Sequence, residues 1–379
     1  SSLRHQLLCC MNLNTFDWLV LAFMLLPVVA TLLPLIKHAH WVFRIFDFPR
    51  IQIATLNLIC LPLNLMFALF EHPIFWLLAI VNIACLLLQL KEIAAYTRLT
   101  KPEVLVYQGE ENEHTISLRT SNVLTHNRRA DLLLTHIEQY QPVLVLTLER
   151  DAWWQEQLAP LEKKSGYIYT VNIPQDNLYG MHLYSRLPLR NVEVRHLVED
   201  EIPSISAQVQ LRSQDWIRIY CLHPMPPSPT EAETSTGRDA ELLLVGREIE
   251  HNNHSVLVFG DLNDVAWSST SRLFQKISGL LDPRKGRGLY NTFHAKYPLL
   301  RWPLDHIFHS NDFMIRKIKV LPYVGSDHFP VYGQFQLTPA VASIQEEPVA
   351  TNDDKKEASE KIAKADPIKE VVREKYKDS

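Results

Sequence analysis

The sequence predicts an α/β domain, with two sheets packed face to face and helices outside, carried behind a set of apolar helices. Two observations drive this reading. The 379-residue chain is sharply segregated: residues 16–90 are mostly apolar, residues 104–337 have the mixture of a soluble domain, and residues 338–379 are charged and poor in aromatics. Within the middle region, short β-branched runs dominate and amphipathic helical stretches are set between some of them, a pattern that suits sheets covered by helices. The net charge of −4 provides no global basic field, so nucleic-acid binding does not follow from charge.

The apolar part comes first, after a short segment 1–15. Segments 16–36, 51–70 and 73–90 are each close to the roughly 20 residues a helix needs to cross a bilayer. The first lacks a small-x-small cleavage site and is followed by a basic stretch, so it reads as a span and not as a signal peptide. Only Glu71-His72 separates the second and third, which implies a tight helical hairpin. Asn57, Asn64 and Asn82 fall inside these spans and are expected to hydrogen-bond between helices, with Pro62 as a kink. No ionisable residue lies mid-span, which argues against a transporter. Lys37, Arg44 and Arg50 precede the second span, and Lys91, Arg98 and Lys101 follow the third. The positive-inside rule therefore puts both flanks, and the soluble domain, on the cytoplasmic side of a cell membrane. "WVFRIFDFPR" (41–50) mixes aromatics with arginines and is expected along the interface. Residues 91–114 read as a linker.

Of the 5 cysteines, only Cys221 lies in the soluble region, and no Cys/His zinc spacing occurs; Cys9 and Cys10 read as free thiols.

The soluble elements follow in order. Residues 115–123 alternate as a strand, and Arg129 to Tyr140 carries Leu132, Leu133, Ile137 and Tyr140 at helical spacing. "VLVLTLE" (143–149) is a buried strand ending in a carboxylate, and "AWWQEQLAPL" is helix-like. "GYIYTV", "GMHLYSR", "SISAQVQLR" and "WIRIYCLH" are successive strands. Arg238 to His251 is an amphipathic helix before the strand "SVLVFGDLND", and "PLDHIF", "RKIKVLPY" and "HFPVYGQFQL" close the set. The tail from about Thr338 has the composition of a disordered segment with a transient charged helix.

Several strands end in polar residues. Asn122, Glu149 and His223 each close a run, Asp261 and Asn263 close "VLVFGDLND", and Asp305 and Asp327-His328 sit in "PLDHIF" and "GSDHFP". If these tips share one rim, the result is a site of carboxylates, amides and histidines without cysteine. Such a donor set suits a hard divalent cation and attack by water on phosphorus. Asp261 and Asn263 are two apart on an extended chain and so face the same rim, whereas Asp264 points away as a turn residue. By the same alternation His306 faces away from Asp305.

The ordered stretches "SNVL" (121–124), "LTLERDAWW" (146–154), "YGMHLYSRLPL" (179–189), "CLHPMPP" (221–227), "FGDLND" (259–264), "PLDHIF" (303–308) and "GSDHFPV" (325–331) resemble the endonuclease/exonuclease/phosphatase superfamily. That is the fold of DNase I, exonuclease III, neutral sphingomyelinases and inositol-polyphosphate 5-phosphatases. The resemblance spans roughly 115–337 and implies a four-layer α/β/β/α sandwich. It implies Mg²⁺, with Mn²⁺ as the alternative, held by Glu149 with Asn122 beside it and Asp327 as a second carboxylate. It further implies that Asp261 and Asn263 position the nucleophile and grip the phosphate. His328 contacts the phosphate and is oriented by Asp305, His223 is the second histidine, and Tyr179 is an aromatic at the site. Segment 222–242 departs from the family pattern, and Arg238 within it is a candidate to bind an anionic substrate. The implied activity is hydrolysis of a phosphodiester, nucleic acid by family frequency. The alternatives are a phospholipid headgroup or inositol phosphate and, in another class, an inactive membrane scaffold. The partners implied are that substrate and a bilayer around the N-terminal helices, with no protein partner.

Overall fold

The computed structural model describes residues 15–70, 74–252 and 254–365. The expectations for the N-terminal segment, Cys9-Cys10 and the Glu71-His72 connection lie outside the described residues. The chain divides into two compact units between Ala95 and Tyr96.

The first unit is helical. α1 (Thr15–Leu32), the short helix α2 (Trp41–Arg44), α3 (Arg50–Phe70) and α4 (Ile74–Ala94) follow in order. Three helices, Thr15–Leu35, Arg50–Phe67 and Ile74–Ala94, are long and apolar enough to cross a membrane. Their amides pair across helices: Asn64 donates to Asn82 Oδ1 at 3.1 Å, and Asn57 and Gln89 both donate to Thr31 Oγ1 at 3.3 and 3.1 Å. Leaving these groups unpaired in hydrocarbon would be unfavourable. In the "WVFRIFDFPR" stretch, Arg44 donates to the carbonyls of Pro34 and Ile36 at the end of the first span, and Asp47 binds both Arg44 and Arg50. Arg44 thus satisfies carbonyls that a helix end leaves without partners.

The second unit begins earlier than the sequence suggests. The expected linker 91–114 is instead continuous with α4 up to Ala94 and then packed from Tyr96 onward. Tyr96 donates to Ala266 O at 2.8 Å, Glu103 pairs with Lys285 at 2.8 Å, and Leu105 and Tyr107 exchange backbone hydrogen bonds with Ile315. One sheet runs in the order β10-β11-β1-β2-β4-β3 and the other β5-β6-β7-β8-β9. The first holds β1 (Thr115–Asn122), β2 (Leu144–Leu148), β3 (Tyr169–Ile173), β4 (Met181–Ser185), β10 (Phe313–Val320) and β11 (Val331–Leu337). The second holds β5 (Leu189–Arg195), β6 (Ser204–Gln210), β7 (Trp216–Leu222), β8 (Val256–Asp261) and β9 (Asp305–His309). Their inner faces meet in one core, in which Leu118, Leu146 and Leu183 pack with Ile219, Phe259 and Ile307. α5 (Ala130–Tyr140) and α6 (Ala152–Lys164) cover one outer face, and α7 (Thr236–Glu250) and α8 (Ser269–Ser278) cover the other. This is the α/β/β/α sandwich.

Topology places the site. β1–β2 and β7–β8 are parallel pairs, each joined through a helix. Their carboxyl ends therefore point the same way within each sheet and bring Asn122 beside Glu149 and His223 beside Asp261. β9 runs antiparallel to β8, so its first residue, Asp305, is the register partner of Asp261. β11 runs antiparallel to β1 with Val331 opposite Thr120, which returns the Asp327-His328 turn to the same rim. Close approach at that rim requires glycine: a Cβ on Gly260, whose φ is +148, would lie 2.0 Å from Leu222 O.

Within the described part of the tail, the expected disorder is corrected; residues 366–379 lie outside the described residues. Residues 352–364 form α9 (Asn352–Lys364), opened by a capping box between Thr351 and Asp354. Ala358 is buried against Leu243, Leu273 and Ile277, and Lys361 reaches Asp239 at 2.7 Å. An apolar stripe of Ala358 and Ile362, four apart, supplies the packing that overall composition hides.

Candidate active site

The strand tips converge. Asn122 donates from Nδ2 to Glu149 Oε1 at 2.6 Å and to Asp261 Oδ2 at 3.1 Å, joining the two sheets across the rim. Its Oδ1 accepts from Leu124 N at 3.1 Å. The Asn122 oxygen accepts one backbone hydrogen bond, and its nitrogen spaces two carboxylates. Asp261 accepts from Asn263 N at 3.0 Å, and the Asn263 amide donates to Pro224 O at 2.9 Å, pinning the start of the insert. Glu149 and Asn263 sit in the left-handed region, at φ +58 and +51. Such backbone is unfavourable for residues with a side chain and persists only where surroundings enforce it, commonly at sites.

His328 lies between carboxylates. Its Nδ1 is 2.8 Å from Asp305 Oδ2, and its Nε2 is 3.5 Å from Asp261 Oδ2. Its backbone N–H donates to Ser326 Oγ, and the Phe293 ring packs on the imidazole with centroids 4.9 Å apart. His223 Nε2 is 3.9 Å from the same Asp261 oxygen, and its ring lies 5.2 Å from that of Tyr179. Tyr179 donates its hydroxyl to Glu231 in the insert. Asp327 is half-buried beside His328, with its Oδ1 accepting from Ser326 Oγ at 3.2 Å.

The electrostatics divide these groups by role. Burial pushes the Glu149 carboxyl up to about 7 against the Asn122 hydrogen bond and the His328 charge, and Asp327 and Asp261 add to the rise. Burial also raises Asp261, opposed by the charge of His328 and reinforced by Asp305. His328 feels the opposite balance: burial works against its charge, but Asp261, Asp305 and the Asp305 hydrogen bond lift it to about 10. Burial lowers His223 to about 4, so it is neutral near pH 7. Burial and then Glu231 raise the Tyr179 phenol well above its ordinary range.

Asp261, Asp305 and His328 present ligand atoms all within 4.8 Å of one another. Asp305 Oδ2 is engaged with His328 Nδ1, whereas its buried Oδ1 has no hydrogen-bond partner. Glu149 belongs to the same rim: the charges of Asp327 and Asp261 both act on its carboxyl. Crowded carboxylates of this kind are stabilised by a divalent ion.

Two expectations are revised, and two residues are new. Arg238 does not reach out to a substrate. It is 2% exposed, with its guanidinium 2.8 Å from Asp239 and 3.3 Å from Asp264, and it donates to Asn263 O. A buried arginine pairs with what surrounds it, and here that is the base of the β8 turn. Asp264, read as a turn residue, also accepts from Ser268 and Ser271 at the start of α8. His306 is buried on the far side, between Arg284 and Asp264 O, as alternation requires. Glu231 and Phe293 reach the site from loops. The acidic "TEAET" run in the insert was a signal for the first, and nothing in the sequence marks the second.

The profile of the Endonuclease/Exonuclease/phosphatase family matches residues 120–328, from just before Asn122 to His328. No curated protein matches. Among solved structures, the human Nocturnin catalytic domain is 19% identical with TM-score 0.50, over 61% of this chain and 96% of its own. A humanized D. rerio TDP2 is 17% identical with TM-score 0.49, over 59% of this chain and 99% of its own. A mannosyl-6-phosphatase from Bacteroides thetaiotaomicron VPI-5482 is 17% identical with TM-score 0.48, over 58% and 99%. The family match covers more than half of the chain and contains the whole converging rim, and the protein belongs to the endonuclease/exonuclease/phosphatase family.

Proposed function

We propose that this protein is a membrane-anchored, Mg²⁺-dependent phosphoesterase that hydrolyses a phosphodiester with water. The observation that carries the reading is Asp261, held 3.1 Å from Asn122 Nδ2 and 3.5 Å from His328 Nε2 at the mouth of the sandwich. Its carboxylate, raised by burial, is placed to take a proton from a water attacking phosphorus in line. As the new P–O bond forms, the bond to the leaving oxygen breaks, and that oxygen takes up a proton. The charged His328, oriented by Asp305, stabilises negative charge on the phosphoryl oxygens. Neutral His223 and the remaining amide hydrogen of Asn263 are the other donors facing the rim. When bound by Glu149 and Asp327, Mg²⁺ or Mn²⁺ would withdraw charge from the phosphate.

The substrate reading shifts from nucleic acid toward a phospholipid headgroup. Five cations could have tracked a polynucleotide, and each is engaged. Arg128 pairs with Asp151, Arg129 with Asp131, Arg284 with Asp282 and Lys285 with Glu103, while Arg287 donates to the Pro283 and Val104 carbonyls. A tracking groove needs cations available to phosphates. Three helices long and apolar enough to cross a membrane support the anchor, and flanking Lys37, Lys91, Arg98 and Lys101 favour a cytoplasmic domain by the positive-inside rule.

Full-length protein assayed with phospholipid vesicles, plasmid DNA and a soluble aryl phosphodiester, with Mg²⁺ or EDTA, tests this. Turnover that survives both EDTA and Asp261→Ala would refute the hydrolytic reading. Plasmid cleavage lost in Asp261→Ala, without lipid turnover, would restore the nuclease. A reporter after Ser379 that is active only outside the cytoplasm would reverse the sidedness.

A further inference from the structure

We infer that the loop 294–301 is a membrane-docking element that seats the catalytic rim on the surface of an anionic phospholipid bilayer. Four observations converge on it. Three of its apolar side chains face solvent: Tyr297, Leu299 and Leu300 are 57%, 83% and 49% exposed. Apolar side-chain surface left exposed in a cluster marks a binding face.

The loop is built and not slack. Phe293 and Trp302 exchange backbone hydrogen bonds at its base, and His294 N donates to Leu300 O at 3.0 Å across it. Arg301 donates to Ala295 O at 2.7 Å and braces it from within. A preformed loop loses little freedom on docking.

Its base is joined to the site. Ala295 N donates to Asp327 O at 2.6 Å, and Phe329 N donates to Thr292 O at 2.9 Å. The Phe293 ring lies on His328, and the Arg301 guanidinium lies 4.9 Å over Phe329, which in turn contacts Tyr323, itself 41% exposed. An apolar, aromatic surface thus runs from the loop tip to the edge of the catalytic histidine.

Its charge selects the occupant. No Asp or Glu occurs between Leu289 and Leu304, whereas exposed Lys296 lies at the apolar tip and the braced Arg301 adds positive charge at its base. Tyrosine, leucine and cations in one small patch match the boundary between headgroups and acyl chains, where anionic lipid adds attraction. The same chain carries three helices long and apolar enough to cross a membrane, which keeps a bilayer at hand. The inference rests on the anchoring part of the proposed function, and it supplies that reading with a way of presenting lipid phosphate to His328.

The test uses the full chain with Cys9 and Cys10 replaced by serine and Leu299→Cys carrying an environment-sensitive fluorophore; Cys60, Cys85 and Cys221 are buried. The protein is reconstituted in vesicles of neutral lipid with or without an anionic phospholipid. Docking predicts a blue shift and quenching by lipids that carry a nitroxide just below the headgroup, larger with anionic lipid. The shift should fall in high salt, where the screening length drops from about 10 Å at 0.1 M to about 3 Å at 1 M. Lys296→Glu and, separately, Tyr297→Ser with Leu300→Ser should reduce the quenching several-fold while leaving hydrolysis of a soluble aryl phosphodiester unchanged. An alkaline wash separates the two readings. If it releases the chain, the anchoring reading falls and the docking inference falls with it. If the chain is retained but the label is not quenched by lipid, the docking inference alone is overturned. A label shielded equally in vesicles and detergent also overturns the docking inference alone, because it marks a protein-binding face.

Discussion

Asp305 holds His328 through Nδ1 at 2.8 Å, and the same ring turns Nε2 toward Asp261 at 3.5 Å. One imidazole between two carboxylates explains why its charged form persists up to about 10 despite burial. If that charge stabilises phosphoryl oxygens, activity is retained through neutral pH and lost as pH rises through the His328 value. Asp305→Asn removes one carboxylate, so the alkaline limb of kcat/KM should move to lower pH by about 1–3 units. The rate should fall by about 10²–10⁴. An unmoved limb in a pH series on a soluble diester would refute the pairing as the source of the charge.

Glu149 makes a separate prediction about the cation. Burial holds its carboxyl near 7, so proton and metal compete for it around neutrality. Mn²⁺ affinity measured by titration calorimetry should weaken below that value, by up to about tenfold per pH unit for one competing proton. Glu149→Gln should weaken binding and flatten the pH dependence. Equal, pH-independent affinity in wild type and variant would assign the cation elsewhere.

Arg238 is expected to matter for stability and not for substrate affinity. It lies between Asp239 and Asp264, and Lys361 also reaches Asp239. Removing one partner of a buried pair leaves an uncompensated charge and costs about 3–5 kcal/mol. Arg238→Ala should therefore lower Tm sharply, and whatever protein remains folded should keep its KM. The Asp239 carboxyl is driven well below the ordinary range: burial opposes its charge, but Arg238 and Lys361 outweigh burial. A depressed folded-state value contributes stability that is fully present above the unfolded value of about 3.9 and is lost as pH falls below it. Acid denaturation monitored by circular dichroism should therefore begin at a higher pH in Lys361→Met than in wild type. A selective KM rise in Arg238→Ala, with Tm unchanged, would return Arg238 to the substrate.

Helix α9 can be tested in the same way. Lys361→Met removes a charged hydrogen bond to Asp239, a loss of about 1.5–3 kcal/mol. Truncation before Thr351 exposes Leu243, Leu273 and Ile277, which Ala358 covers. Both should lower Tm, truncation more, and a truncated chain with an unchanged Tm would restore the disordered tail.

How far the sequence revealed this protein depended on where the information lay. Strands such as β2 and β8 were legible because they are buried runs bounded by polar tips, and the tips were legible as a set because their order is that of a family. β5 was missed: Arg190, Asn191 and Glu193 are exposed on an edge strand, so no apolar run marks it. α8 was missed because Leu273, Phe274 and Ile277 are diluted by Ser, Thr, Arg, Gln and Lys in a ten-residue helix. Arg238 was misread because pairing with Asp264 depends on where α7 packs, which no local pattern states. Glu231 and Phe293 enter the site through loop geometry, and the same holds for the apolar loop 294–301.

The Tyr179–Glu231 bond joins the insert to the body of the site. The phenol sits between β3 and β4 and packs on His223, whereas Glu231 belongs to the insert after β7. The bond therefore fastens the insert over the second histidine, with Asn263 to Pro224 O holding its other end. Tyr179→Phe deletes the donor and frees the exposed Glu231 carboxylate, so protease cleavage within residues 226–234 should accelerate. KM should rise more than kcat falls, because the tyrosine positions the cover and is not itself at phosphorus. Glu231→Gln retains an acceptor oxygen while removing the charge, so it should keep wild-type protease resistance. If Tyr179→Phe leaves both cleavage and KM unchanged, the bond is not the fastening. A loss of kcat with KM constant would instead place the Tyr179 hydroxyl in the chemistry.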